Sequence, residues 1–185
     1  MRIQAYDGID RFTVRSDVFG DVLVDGGADR DFYTTFFNGR VDRTVTIRDR
    51  SDETNRLDAY GTTGDDLVNI DPTGVYRGAE QVFFNTDLHF VGFAGLAGDD
   101  VVNLNNSAAR TTYVWGQAGD DVVNVENTDN IVGARFIGHE DNDTFNLNSV
   151  NVGTYIATIG GDGDDTTNIS ADAMGNVFNN GQEGS

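Results

Sequence analysis

Paired carboxylates recur along the second part of the chain, and these are the residues best suited to chemistry. Each pair closes a glycine-containing turn and is followed by a short run of β-branched or apolar residues. The pairs are Asp65-Asp66, Asp99-Asp100, Asp120-Asp121 and Asp164-Asp165, with Asn142-Asp143 at the same place in one copy. Asp is the acidic residue that tight turns and hard cations prefer. Stacked carboxylates would repel each other, and a divalent cation between them would remove that repulsion.

The turn and the run after it form a repeat. The opening glycines are Gly61, Gly95, Gly116, Gly138 and Gly160, so the last four are 21, 22 and 22 residues apart. A period of this size is typical of a solenoid, in which each repeat forms one coil that stacks on the next. Glycine stands at the first place of each turn and at the fourth place of every turn but one, and it permits the positive φ angles that tight turns need.

The run after each turn predicts a strand with one face inward, because side chains alternate between the two faces of a strand. The inward columns are Val68, Val102, Val123, Phe145 and Thr167, and then Ile70, Leu104, Val125, Leu147 and Ile169. Between them lies an outward Asn column: Asn69, Asn103, Asn124, Asn146 and Asn168. Strands about 4.8 Å apart would let each amide hydrogen-bond to the next. Return strands are expected within 112–115, 134–137, 154–159 and 176–178.

These features predict an all-β fold, a parallel β-solenoid with coils of about 22 residues. Residues 1–60 are expected to hold degenerate coils and an N-terminal cap, and residues 61–185 the regular repeats of the same continuous domain. The aromatic-rich segment 18–37 is interpreted either as that cap or as a loop with a small satellite core. The long coil that opens at Gly61 contains either an added hairpin or two unequal coils. Because the chain ends in mid-period, we expect it to be cut from a longer array.

Composition narrows the possible partners. The net charge is −19, from 31 acids against 12 bases, and every base is Arg. Residues 61–185 carry −16 of that charge, so cations should collect there. Nucleic acid and anionic membrane surfaces are disfavoured because both need a basic face. The chain has no cysteine, and no apolar run is long enough to predict membrane insertion.

The stretches GLAGDDVVN, GQAGDDVVN and GGDGDDTTN resemble the RTX nonapeptide of Ca²⁺-binding β-rolls. The resemblance implies that the ligands are Asp66, Asp100, Asp121, Asp143 and Asp165. With the preceding Asp65, Asp99, Asp120 and Asp164 they form the predicted metal site, with Ca²⁺ as the cofactor. This chain has one motif per coil where the family has two, which implies one row of sites along one edge. Asp141 stands where the family has glycine.

The arrangement is also similar to repeat segments of large secreted or surface-anchored bacterial proteins. This similarity implies an extracellular or cell-surface location and a structural or adhesive role, with head-to-tail self-association and a polysaccharide or cell-surface partner as further expectations. We expect no enzymatic activity, because the carboxylates recur in every coil whereas catalytic acids should be singular and lie in a cleft. His89 and His139 are not linked to a nucleophile by any motif.

Three alternatives remain open at this point. One is a carbohydrate-binding or polysaccharide-cleaving β-helix, for which Tyr113, Trp115 and Tyr155 would form a sugar-stacking patch. Another is a salt-adapted protein whose charge stays hydrated. The third is that the acidic turns are structural only and bind no metal.

Overall fold

The computed structural model describes residues 1–15, 17–18, 20–39, 43–49, 54–84, 88–106, 109–127, 132–148, 150, 155–170 and 176–181. These residues form strands, turns and loops. The first nine strands are β1 (Arg2–Gln4), β2 (Arg11–Val14), β3 (Val22–Asp25), β4 (Phe32–Phe36), β5 (Thr44–Arg48), β6 (Arg56–Tyr60), β7 (Leu67–Asp71), β8 (Gly74–Arg77) and β9 (Glu80–Phe84). The other nine are β10 (Phe90–Ala97), β11 (Val101–Asn105), β12 (Thr111–Ala118), β13 (Val122–Glu126), β14 (Gly133–His139), β15 (Thr144–Asn148), β16 (Tyr155–Gly161), β17 (Thr166–Ile169) and β18 (Val177–Asn180).

The strands form two sheets that run along the stack of coils. Sheet A has the order β1-β3-β5-β9-β8-β7-β11-β13-β15-β17, and sheet B has the order β18-β16-β14-β12-β10-β6-β4-β2. Apart from one hairpin, neighbours pair in parallel, as β11 does with β13 through Val101↔Val122. The chain is therefore a parallel β-solenoid of about seven turns with coils of about 22 residues, which confirms the predicted fold class.

Each coil passes from one sheet to the other at two edges. In the repeats, the acidic edge carries the chain from sheet B to sheet A through 61–66, 98–100, 119–121, 140–143 and 162–165. The opposite edge carries it from sheet A to sheet B, and in the first coils it comprises residues 5–10 and 26–31. The acidic pairs therefore all lie on one edge of the stack.

The long coil after Gly61 contains a hairpin. Strand β8 pairs antiparallel with β7 and with β9, and β9 in turn pairs in parallel with β5. Sheet A thus gains two strands that sheet B lacks, and the earlier coils are separated from the regular repeats on that face. Of the two arrangements considered for this coil, the added hairpin is the one observed.

The predicted inward columns form the core in four of the five coils. Val68, Val102, Val123 and Phe145 are at most 3% exposed, and the matching second column is equally buried. The last coil departs from this prediction, because Ile169 is 50% exposed and Thr167 is only half-buried. The reason is position, since β17 is the terminal strand of sheet A among the described residues and only β15 pairs with it there.

Residues 22–36 contribute ordinary strands to the stack. Strand β3 pairs with β1 and β5, and β4 pairs with β2 and β6, so both have neighbours on two sides. Their buried residues belong to the same hydrophobic core as the regular repeats. The similar sequences that begin at Gly8 and Gly39 lead into β2 and β5, which lie in opposite sheets, so they are half a coil out of phase.

The predicted amide ladder runs along the outer face of sheet A. The Nδ2 atom of each Asn donates to the Oδ1 atom of the Asn in the preceding coil, at 2.8–3.1 Å from Asn103 to Asn168. These bonds explain why Asn, a poor strand former, occupies one place in five strands. Among the described residues there is no helix of the length and hydropathy that a membrane span requires.

Candidate cation-binding edge

The acidic pairs stack coil on coil and form two columns on the acidic edge. The outer column is exposed and consists of Asp65, Asp99, Asp120, Asn142 and Asp164. The inner column is buried, at 1–3% exposure for its first four members, and consists of Asp66, Asp100, Asp121, Asp143 and the half-buried Asp165. The structure therefore brings all nine predicted site residues to one edge but gives the two members of each pair different environments.

Backbone N–H groups of neighbouring coils satisfy the outer column. The N–H of Asp99 donates to Asp65 Oδ1, and the N–H of Asp120 donates to Asp99 Oδ1, both at 3.0 Å. Asn142 continues this ladder, because its Oδ1 accepts the N–H of Asp164 at 2.8 Å. An amide thus performs the same hydrogen-bonding task as a carboxylate.

The inner column forms a second ladder that runs in the reverse direction. The N–H of Asp66 donates to Asp100 Oδ1 at 2.8 Å, and the N–H of Asp100 donates to Asp121 Oδ1 at the same distance. The same bond joins Asp121 to Asp143 and Asp143 to Asp165, at 3.0 Å. One oxygen of each inner carboxyl after Asp66 is therefore fixed by the coil before it.

The second oxygen of the inner carboxyls has a different environment. In the part of the chain that the structure describes, the buried Oδ2 atoms of Asp100, Asp121, Asp143 and Asp165 have no hydrogen-bond partner. A buried polar atom without a partner costs about 1–3 kcal/mol, and more if it is charged. Four such atoms at equivalent places indicate a proton or a ligand that the protein chain alone does not supply.

The opening glycines leave the space that these oxygens occupy. A Cβ atom added at Gly95, Gly116, Gly138 or Gly160 would overlap the Oδ2 atom of the inner Asp in the same coil. The expectation that these glycines supply positive φ angles is wrong, because they lie near the ends of strands without positive φ. They are needed for close approach to the carboxyl instead.

Positive φ occurs one residue later and at the fourth place. The second position has φ near 90° at Leu96, Gln117 and His139, where the side chains are not glycine. The fourth position has φ 105° at Gly98 and 120° at Gly119, as predicted, whereas Gly64 at this place in the first copy lacks positive φ. Asp141 adopts φ 69° at this place in the fourth copy, so the turn survives the loss of glycine.

Burial shifts the titration of the inner carboxyls upward. It raises the pKa of Asp100 to about 7, although the N–H of Asp66 opposes the shift, and the Asp121 carboxylate raises it further. Burial likewise raises the pKa of Asp143 to about 7 and that of Asp121 to about 6. Without a cation, Asp100 and Asp143 are therefore partly protonated near neutral pH.

Arg77 ends the inner ladder at Asp66. Its Nε contacts Asp66 Oδ1, and its NH1 lies 3.6 Å from Glu80, which is also buried and lies 3.5 Å from Arg43. The inserted hairpin carries both Arg77 and Glu80, so it places a cation where it separates the ladder from the earlier coils. Sequence reasoning missed this ion pair, because Arg77 and Asp66 are brought together only by the hairpin.

The residues fit a cation if backbone oxygens take part. No group of three or more His, Cys, Asp or Glu among the described residues is arranged to hold a metal ion by side chains alone. However, Asp100 Oδ2 and the carbonyl oxygen of Gly116 both lie close to the position that a Cβ atom would take at Gly95. Asp143 Oδ2 and the carbonyl oxygen of Gly160 lie close to the same position at Gly138. Strand pairing skips these opening glycines, as between Ala94↔Trp115 and Leu96↔Gln117. Carboxylate and carbonyl oxygens are the ligands that Ca²⁺ prefers.

A further ladder of the same kind lies on the opposite edge of the first coils. The N–H of Asp10 donates to Asp31 Oδ1 at 2.8 Å, and the N–H of Asp31 donates to Asn55 Oδ1 at 2.7 Å. Asp31 is fully buried, its Oδ2 lies against Gly26, and burial raises its pKa to about 6. The sequence GGADRDFYT from Gly26 holds the signal, a glycine five residues before an Asp, but it is out of phase with the later repeats.

Comparisons with known proteins do not assign a function to the acidic edge. No protein-family model, no curated protein and no solved structure matches the chain.

Proposed function

We propose that this chain is a non-enzymatic structural or adhesive segment of an extracellular protein, a β-solenoid that binds Ca²⁺ along its acidic edge. The observation that carries the proposal is a row of four buried Oδ2 atoms that have no hydrogen-bond partner among the described residues. They belong to Asp100, Asp121, Asp143 and Asp165. The resemblance of these turns to RTX repeats supports the same ion. The Oδ2 atoms and neighbouring glycine carbonyl oxygens would hold it, and its charge would neutralise stacked carboxylates.

The role of such an ion is structural. Stacked coils bring the inner carboxyls together, and removing a proton from each leaves charge that is both buried and close to like charge. A divalent cation offsets this cost only in the folded state, so its binding stabilises the fold. The rest of the stack supports a spacer role, because the paired sheets and the outer Asn ladder join every coil to the next.

End-to-end association is the other part of this proposal. Strands β1 and β17 terminate sheet A, and β2 and β18 terminate sheet B. At the β17–β18 end, Ile169 is 50% exposed and Phe178 is 62% exposed. Exposed apolar residues beside open strand edges favour docking of another coil. Measurement of molecular mass by light scattering across protein concentrations tests this part separately from the metal.

Thermal unfolding with calcium and with chelator tests the metal directly. Saturating Ca²⁺ at about 100 times Kd should raise Tm by about 5–10 °C per coupled site relative to chelator, whereas equal ionic strength of NaCl should not. Asp100→Asn should reduce the rise and Glu126→Gln, which removes an exposed charge from sheet A, should leave it unchanged. An identical Tm in calcium and chelator rules out the metal, and a response to NaCl alone favours salt adaptation.

A further inference from the structure

The outer face of sheet B contains a groove that the acidic edge does not involve. Strand β10 presents Gly92 and the buried Ala94 outward, so its outer surface is lower than its neighbours. The register places Gly92 between Asp58 of β6 and Tyr113 of β12, and Ala94 between Tyr60 and Trp115. A cavity of about 270 Å³ lies over this low strand and is lined by residues of both flanking strands.

One side of the groove is aromatic. The Phe90 and Tyr113 rings pack edge to face with their centroids 5.0 Å apart, and Tyr113 and Trp115 do so at 5.6 Å. Trp115 is only half-buried, and its ring reaches the space above Gly92. A half-exposed aromatic platform in a concave site suits the apolar face of a pyranose ring.

The opposite side carries Tyr60 and a polar pair of residues that is held in a fixed geometry. Arg56 donates through Nε and NH2 to the two oxygens of Asp58, at 2.7 and 2.8 Å. The Arg56 guanidinium also lies over the Phe90 ring, 4.0 Å from its centroid. A locked Arg–Asp pair offers both donors and an acceptor at one place, which is what neighbouring sugar hydroxyls require.

The groove continues into a basic cavity. Arg56 lines both the cavity over β10 and a second space of about 380 Å³, which Phe90, Arg30, His89 and Arg110 also line. No carboxylate is among the described residues that line this second space, and in the described chain neither Arg30 nor Arg110 forms a salt bridge. Arg56 is paired with Asp58, so Arg30 and Arg110 are the lining arginines without a salt bridge among the described residues, in a chain of net charge −19. They complement an anionic ligand, because guanidinium groups bind carboxylates by two parallel hydrogen bonds.

We propose that this groove binds a carboxylated polysaccharide, with a sugar ring against Trp115 and a uronate carboxylate at Arg110 and Arg30. The aromatic wall and the Arg56–Asp58 pair recognise the sugar, and the basic cavity selects the acidic form. The net charge of −19 opposes any long polyanion, so the ligand that the groove fits is a short segment of such a polysaccharide. This site does not rest on calcium binding, since none of the residues proposed to contact the sugar is a proposed calcium ligand, although Trp115 and Gln117 lie next to Gly116.

Trp115 makes the groove directly observable, because it is the chain's single tryptophan. Titration with oligogalacturonate should change its fluorescence in a saturable manner, and the fully methyl-esterified form should bind at least about tenfold more weakly because the charge-assisted bonds are lost. Arg110→Gln should weaken binding about tenfold, whereas Arg48→Gln, an exposed arginine on sheet A, should leave it unchanged. Trp115→Ala, followed by calorimetry, should weaken binding to a similar degree.

Circular dichroism and Tm must show that every variant is folded before its affinity is compared. The proposal is overturned by equal binding of the acid and its methyl ester, by equal effects of Arg110→Gln and Arg48→Gln, or by no saturable signal at millimolar ligand. Tighter binding of a single-stranded DNA oligomer than of oligogalacturonate would assign the groove to nucleic acid instead. Titration in chelator separates this result from the metal proposal, since the groove should bind oligogalacturonate when no calcium is present.

Discussion

The two carboxyl ladders lie on opposite edges of the solenoid and share one construction. In the repeats, Asp100 Oδ1 accepts the N–H of Asp66, and in the first coils, Asp31 Oδ1 accepts the N–H of Asp10. In both, the second oxygen is buried without a hydrogen-bond partner in the described chain and rests against a glycine that opens the turn. The geometry is thus a property of the coil and not of one edge.

The two carboxyl ladders differ in charge. The difference separates two roles of Asp in a ladder, which are to accept a hydrogen bond and to carry a negative charge. Asn55 ends the N-terminal ladder and accepts the N–H of Asp31 at 2.7 Å, and Asn142 accepts a backbone N–H in the outer column. An amide is therefore sufficient for the hydrogen bond. The inner column of the repeats nevertheless has Asp at all five places, from Asp66 to Asp165. Its charge is in excess of what the ladder needs and is available to a cation.

The largest effect is expected when the glycine space is filled. Gly138→Ala places a Cβ onto Asp143 Oδ2, and Gly26→Ala places one onto both Tyr33 Oη and Asp31 Oδ2. Each should lower the free energy of unfolding by about 2–4 kcal/mol, because a buried carboxyl cannot move away freely.

Urea unfolding measures these losses, and Gly64→Ala is the matched control. Gly64 lacks positive φ and has nothing within 4 Å of its added Cβ, so that change should stay within about 0.5 kcal/mol. A small effect at Gly26 together with a large one at Gly138 would show that only the acidic edge depends on close approach. Equal losses in Gly138→Ala, Gly26→Ala and Gly64→Ala would contradict the conclusion that the ladders on both edges need a glycine for close approach.

An intermediate effect is expected from pH in the presence of chelator. The pKa values of Asp100 and Asp143 are about 7 in the fold and those of Asp121 and Asp31 about 6, all above the ordinary 3.8 because of burial. The folded state therefore binds more protons than the unfolded state between about pH 4 and pH 7. Raising the pH through that window removes protons that the folded state binds more tightly than the unfolded state. The free energy of unfolding should therefore decrease as pH rises.

Unfolding in urea at pH 5 and at pH 8 measures this decrease, and calcium should reduce it by replacing the protons at the acidic edge. Asp31→Asn should remove only the smaller part that belongs to the opposite edge. Higher stability at pH 8 than at pH 5 in chelator would mean that the inner carboxyls are not buried as the structure shows.

Sequence reasoning predicted the repeats well because their signals are periodic. The inward columns, the Asn ladder and the stacking of the acidic pairs each depend on one residue type at a fixed place, and coil geometry converts that spacing into contact. The role of the opening glycines was not predictable in this way. Glycine permits both positive φ and close approach, and only the position of Asp Oδ2 beside Gly95 distinguishes the two.

The N-terminal coils and the hairpin were harder for a related reason. Phe32 and Tyr33 lie in β4 within the stack, although their crowding with other aromatics suggested a cap. The ladder through Asp31 is half a coil out of phase with the repeats, so alignment to them could not detect it. The Arg77–Asp66 contact depends on an antiparallel hairpin within a parallel sheet, and no local pattern specifies where such a hairpin folds back.

The smallest effects are expected from replacing single inner carboxyls by amides. Asp100→Asn keeps the acceptor for the Asp66 N–H and places an amide NH₂ near the Gly116 carbonyl oxygen. Asp31→Asn likewise keeps its acceptor for the Asp10 N–H and places its NH₂ close to Asp49, whose negative charge raises the pKa of Asp31. In chelator at pH 8, each variant should either lower the free energy of unfolding by less than about 1 kcal/mol or raise it, because a buried negative charge is removed.

Calcium then distinguishes the two variants. Only Asp100→Asn should lose part of the calcium-induced rise in Tm, because it alone removes a charge from the proposed row of sites, and isothermal calorimetry should count fewer ions for it than for Asp31→Asn. Equal loss in both variants would place calcium on both edges, as in a solenoid with two rows. If neither variant loses part of the calcium-induced rise in Tm, the inner column binds no metal, and protonation alone neutralises its excess charge.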